Sequence, residues 1–155
     1  MTYRISGLRP DPFLRLYGLS DTDLAARGVI RLTADCVPGF PDRITMREIP
    51  VGATALLLNH EHLAAASPYR SRHAIFVMEG AQEAWSGVDE IPEVMSQRTL
   101  SLRSYSQDGM MIDACLAEGA DLDPAIRRLL DNPDCDFLHA HNAIRGCYSG
   151  LIERS

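Results

Sequence analysis

The sequence predicts an α+β fold, a mostly antiparallel β-sheet with helices packed on one side. Three observations carry this. Short segments that alternate apolar and polar residues recur along the chain, joined by tight turns. The strands are not interleaved one by one with helices, so there is no βαβ rhythm. No Gly-rich strand-to-helix turn occurs, which disfavours a nucleotide-binding doubly wound sheet.

The elements follow in chain order. Tyr3–Gly7 reads as a short strand. Asp11–Leu19, after Pro10, and Asp21–Arg27, ended by Gly28, read as helices. Val29–Thr33 alternates and is half-buried, and Arg43–Arg47 continues in that style after the turn Pro38-Gly39-Phe40-Pro41. Thr54–Leu58 is apolar on both faces and reads as a central strand, with Ala74–Met78 similar. Glu79–Gln97 is polar and contains Gly80, Gly87, Pro92 and Trp85, so it is expected as a surface loop with a short helix. Thr99–Ser106 and Met110–Leu116 flank Asp108-Gly109, a hairpin signal. Met110, Met111 and Ile112 are expected in the core, as is Cys115. Asp123–Leu130 is the clearest helix, with Asp123 as cap, Pro124 in the first turn and an apolar stripe at Ile126, Leu129 and Leu130. Cys135–His141 and Cys147–Ile152 are the last strands.

The bulk properties bound the answer. The 155 residues fit a single domain, 1–155, without internal repeat or linker. Hydrophobic residues make up 46% and charged residues 23%, an ordinary globular balance. The net charge is −6, and all fifteen basic residues are arginine. Spread evenly, they read as codon bias and form no basic stripe, which argues against nucleic acid. There is no basic amphipathic helix for a membrane surface and no apolar run long enough to span one. The start, Met1-Thr2-Tyr3-Arg4-Ile5-Ser6, lacks the apolar region of a signal peptide, and no CxxC pair exists among Cys36, Cys115, Cys135 and Cys147. Reduced thiols and a cytoplasmic location are the expectation.

Chemistry concentrates in Phe137–Tyr148. Residues two apart on a strand share a face, so His139 and His141 point together, with Cys135 and Phe137, away from Leu138 and Ala140. With a loop over Asn142–Gly146, His141 is expected opposite Cys147, and His139 opposite Ser149. Three readings stay open. The imidazole lowers the thiol pKa and Cys147 is a nucleophile, with Asn142 orienting the ring or donating to an oxyanion. Alternatively, histidines and cysteine hold zinc or another transition metal, His139 and His141 foremost, with an open position. In the third, the hairpin is buried structure with satisfied histidines and a packed cysteine.

His60-Glu61-His62 repeats the HxH spacing, and four histidines from two strand ends could converge on one metal; a solvated loop start is the plain alternative. HExxH is absent, since position 64 is Ala64. In Ser67-Pro68-Tyr69-Arg70-Ser71-Arg72-His73, Tyr69 and Arg70 could hold an anion through a guanidinium fork, or Arg70 could pair with a surface carboxylate.

Several stretches together resemble a known family. They are Pro38-Gly39-Phe40-Pro41-Asp42-Arg43, Leu56-Leu57-Leu58-Asn59, Glu61-His62, Ser67-Pro68-Tyr69-Arg70, Ile75-Phe76-Val77, Leu100-Ser101-Leu102-Arg103, His139-Ala140-His141-Asn142-Ala143 and Gly146-Cys147. In that order they are similar to the bacterial domain-of-unknown-function family 1203 over nearly the whole chain. The resemblance implies no activity, substrate or cofactor. The family pattern often places a cysteine where this chain has Asp42, so a mechanism using a thiol there fails here.

The sequence thus points to a polar site floored by His139, His141, Asn142 and Cys147, with His62, Tyr69 and Arg70 as wall residues. As an enzyme it would be a hydrolase or transferase, cysteine–histidine or metal-assisted, acting on a small acidic molecule. The alternative is a non-catalytic binding or interaction module, as a homo-oligomer.

Overall fold

A computed structural model describes residues 1–155. The elements are β1 (Tyr3–Ser6), α1 (Asp21–Ala25), β2 (Ile30–Thr33), β3 (Thr54–Leu63), β4 (Ser71–Met78), β5 (Ser86–Val88), α2 (Glu93–Ser96), β6 (Leu100–Tyr105), β7 (Met111–Ala117), α3 (Leu122–Leu130), β8 (Phe137–Asn142) and β9 (Tyr148–Arg154). Six strands form one antiparallel sheet in the order β5-β1-β9-β8-β6-β7, and β2-β3-β4 form a second. The α+β class is as the sequence predicts, with the strands divided between two sheets. No helix is long and apolar enough to cross a membrane.

Strand alternation sorts the side chains into layers. On β8, Leu138 and Ala140 face a core shared with Leu100 and Leu102 of β6 and with Leu122, Ile126, Leu129 and Leu130 of α3. Nine residues are too few for a stable isolated helix, so this buried stripe holds α3 in place. Asp123 does not cap the helix; its carboxylate accepts from Tyr3 Oη at 2.9 Å and pairs with Arg127 at 2.9 Å. The smaller sheet turns Leu56 and Leu58 of β3 and Ile75 and Val77 of β4 into a second core, which Tyr148 of β9 joins from the large sheet. The two sheets therefore meet along a seam near β8 and β9.

Four expectations are corrected. Arg43–Arg47 is a turn, not a strand. Asp11–Leu19 contains only a one-turn 3-10 helix at Leu14–Leu16. The polar stretch Glu79–Gln97 supplies an edge strand, β5, as well as the expected short helix, α2. Met110 and Ile112 are exposed and Met111 is half-buried, because β7 is an edge strand with one open face.

The turn after Pro41 is built around Asp42, which is completely buried. Its carboxylate accepts from the amides of Ile44 (3.3 Å), Thr45 (2.7 Å) and Met78 (2.8 Å) and from Thr45 Oγ1 (2.6 Å). It thereby ties the turn to the end of β4 and fixes where Arg43 enters the interior. Removing a buried acceptor leaves its donors unsatisfied, at roughly 1–3 kcal/mol. Asp42→Ala should lower the unfolding free energy in urea by at least about 2 kcal/mol, with Asp42→Asn costing less. A change below about 0.5 kcal/mol would contradict this role.

Candidate functional site

The seam between the sheets is lined with imidazoles. The stripe Leu56, Leu58 on β3 continues at the same period through His60 and His62, and the stripe Val77, Ile75 on β4 runs back to His73. From the opposite sheet β8 offers His139 and His141. The rings of His62 and His73 stack at 4.9 Å, and His62 meets His141 edge-on at 4.7 Å. Tyr148 stacks on His62 at 5.3 Å, and His60 stands at the rim between Phe13 and Tyr148. All five histidines of the chain thus lie along this seam.

One nitrogen each from His62, His73 and His141 lie within 4.8 Å of one another. On a tetrahedral zinc, with Zn–N of about 2.0–2.1 Å, such nitrogens stand about 3.3 Å apart. The arrangement needs only a modest contraction to close on an ion. His139 sits one step behind, with its Nδ1 3.2 Å from Nδ1 of His62. His62 Nε2 lies 2.9 Å from His73 Nδ1 and 2.9 Å from Ser71 Oγ.

His141 is the most constrained member. It is completely buried, and its Nδ1 is 2.9 Å from the Gly146 carbonyl. A carbonyl only accepts, so Nδ1 must carry the hydrogen. Nε2 is then left with a lone pair, is buried, and has no hydrogen-bond partner. The local sequence forces this placement. Gly146 has φ +77°, a left-handed conformation that glycine adopts without strain, and its amide closes the turn on Asn142 O at 2.7 Å.

All five rings are driven toward the neutral form. Burial is the main cause in each, and it brings His139 and His141 down to about 3 and His62 to about 4; His60 and His73 are lowered in the same direction. Neighbouring positive charge adds to the effect, with His73 acting on His62 and His62 acting on His139. A neutral imidazole is the form that ligates metal.

The expected opposition of His141 and Cys147 does not form. The turn is one residue tighter than expected, with the Asn142 amide donating to the Cys147 carbonyl at 2.9 Å, so His141 faces Tyr148; a bulge between Ala140 and His141 then shifts the pairing once more, and His139 faces Leu151 instead of Ser149. Cys147 lies beside Asn142, whose Nδ2 is 3.3 Å from its sulfur, and Arg43 Nη2 is 3.4 Å from it. A nucleophile–base pair of His141 and Cys147 is therefore not what the fold builds. Cys135 precedes β8 and packs into the α3 core instead of sharing the histidine face. Tyr69 and Arg70 lie outside the histidine cluster; Arg70 pairs with Glu61 at 3.2 Å, and Tyr69 meets Tyr105 edge-on.

His73 escaped the sequence reading as a site residue because the strand was expected to begin at Ala74. Extending the Val77–Ile75 stripe by one more period reaches it. Arg43 escaped because nothing local marks an arginine that will be buried.

A two-sheet α+β fold with a partly buried cluster of neutral histidines at the seam is thus the class of protein that fold and site define. The chain belongs to the family described as Protein of unknown function (DUF1203), whose model matches residues 39–154, the span that contains every histidine and Arg43. No curated protein and no solved structure matches the chain.

The depressed histidines tie stability to pH. Above their ordinary value of 6.5 the rings are neutral in both the folded and unfolded chain. Below it the unfolded chain takes up protons that the folded one refuses until about 3 or 4. Stability should fall as the pH drops from 6.5 toward 4. Melting curves of metal-free protein at pH 8 and pH 5 should show the lower Tm at pH 5, and the His139→Gln variant should lose part of that difference. Equal Tm values at both pH values would contradict the depressed titration.

Proposed function

We propose that the protein is a histidine-ligated transition-metal protein, with zinc the leading ion, bound by His62, His73 and His141. The observation that carries the reading is Nε2 of His141, a buried lone pair without a partner beside two other neutral imidazoles. A buried polar atom left unsatisfied costs roughly 1–3 kcal/mol, and an ion removes that cost. The donor set fits: uncharged nitrogen ligands suit zinc and its neighbours in the transition series.

Two of the three ligands also have the outer partner that metal-bound histidines use to fix their tautomer. The Gly146 carbonyl serves His141. With His62 ligating through Nε2, its Nδ1–H donates to Nδ1 of His139. His139 is then a positioning residue behind the ion. Three protein ligands leave a fourth position for water or substrate, the pattern of catalytic zinc sites, whereas structural sites are closed by four. His73 lies in the wall of a cavity of about 690 Å³, so that position has a route to solvent. Metal-assisted hydrolysis or group transfer is the reaction class that this geometry supports.

A second reading rests on one further observation. His73 Nδ1–H can donate to His62 Nε2 while His62 Nδ1–H donates to His139 Nδ1, so those three rings satisfy one another without an ion. In that case the cluster is structural and the protein a non-catalytic module. It leaves His141 Nε2 unexplained.

Protein purified without chelator, or dialysed against zinc, should carry about one equivalent of metal by elemental analysis. His141→Ala should reduce zinc affinity at least about a hundredfold, and His139→Gln by about tenfold through the lost outer partner. A wild-type content below roughly a tenth of an equivalent after zinc dialysis would favour the structural cluster.

A further inference from the structure

The cavity that borders His73 has a second, separate character. Its walls contain Arg43, Arg98 and Arg145, and no aspartate or glutamate lines it. That is unexpected in a chain of net charge −6. The other large cavity differs: Glu61 stands among its arginines, and Arg9, Arg27 and Arg72 there have partners of their own.

Arg43 is the decisive residue. It is 1% exposed and forms no ion pair. Its Nε donates to the Tyr148 carbonyl at 2.5 Å, Nη1 to the Pro41 carbonyl at 3.1 Å and Nη2 to Cys147 Sγ at 3.4 Å. The adjacent Asp42 spends its oxygens on amides and a hydroxyl of its own turn and of β4. Of the five N–H donors of a guanidinium, three are used, so two remain. A buried charge without a counter-charge is costly, and here its only non-carbonyl partner is a sulfur that itself lines the cavity. Arg98 is neutralised by Glu48, which is nearly fully buried. Arg145, on the exposed hairpin turn, makes no hydrogen bond or ion pair and reaches the same space from the other side. Phe76, Ile144, Pro38 and Pro41 supply apolar wall between the charges.

We propose that this cavity binds a small organic anion, a carboxylate or a phosphate monoester with a compact apolar body. Its anionic group would sit between Arg43 and Arg145 beside Cys147. The site extends the metal reading, because His73 is common to both. It does not require the ion, since both arginines belong to the protein.

Cys147 makes the anion site measurable. Its sulfur displaces iodide from either iodoacetate or iodoacetamide, forming one S–C bond, and the two reagents differ only in charge. The iodoacetate-to-iodoacetamide rate ratio at Cys147 should exceed the ratio at exposed Cys36 by at least about tenfold, or about 1.4 kcal/mol. Inorganic phosphate or acetate should suppress the excess, and Arg145→Gln should abolish it. Equal ratios at the two cysteines, or an excess untouched by Arg145→Gln, would overturn the proposal. A slow sulfur does not spare it, because Cys147→Ser protein can be titrated calorimetrically with phenyl phosphate, benzoate and neutral benzamide. Binding of either anion and not of benzamide, weakened at least about tenfold by Arg145→Gln, is the expected result. The stronger of the two anions identifies the headgroup, and no binding by either refutes the site.

Both measurements are run on zinc-loaded and on chelator-treated protein. Charge selectivity that persists in protein unable to hold zinc would sink the metal reading alone. Stoichiometric zinc without charge selectivity would sink the anion site alone.

Discussion

The hydrogen bond between His141 Nδ1 and the Gly146 carbonyl governs the rest of the site. It determines which nitrogen of a fully buried ring keeps its lone pair. Its geometry depends on the hairpin between β8 and β9, where the bulge at His141 and the left-handed Gly146 let the chain reverse within a few residues. Alternation along β8 points His141, with His139, toward β3 and β4, while the turn sets Cys147 against Asn142 and beside Arg43. The register of this hairpin therefore separates the imidazole cluster from the thiol and creates two neighbouring environments.

Those environments are electrostatically distinct. Along the seam, burial keeps the imidazoles uncharged, and the triad includes no carboxylate. After burial, the nearby Arg103 guanidinium also pushes His62, His73, His139 and His141 toward the neutral form, and a divalent ion there would add its charge to that of Arg103. If His62, His73 and His141 held a metal, its charge would favour an anionic partner there. Across His73 lies a cavity whose arginines lack carboxylate partners apart from Arg98.

Much of the fold was legible because alternation on a pleated strand is a strong signal. Leu138 and Ala140 facing the core while His139 and His141 face away follows from period two alone, and so does the α3 stripe from period 3.6. The failures have physical causes. Arg43–Arg47 has the composition of a strand, but Asp42 draws its amides into a turn, and no propensity anticipates a carboxylate with three local donors and a fourth from β4. The pairing of His141 with Tyr148 was invisible because register in a hairpin is fixed by turn geometry, which residues 142–146 do not specify uniquely. His62, His139 and His141 were recognisable as chemistry, and the HxH pairs hinted at convergence. His73 needed the true start of β4. Arg43 needed the tertiary structure, since only the packing of β9 over the turn buries it.

The central claim is that three neutral histidines from two sheets close on one ion. Crystals grown with zinc and measured at the zinc absorption edge test it most directly. The account predicts a single anomalous peak at about 2.0–2.1 Å from one nitrogen each of His62, His73 and His141, with His141 still donating to Gly146. A zinc-saturated crystal with no peak between β4 and β8, or with zinc only on surface carboxylates, would contradict it.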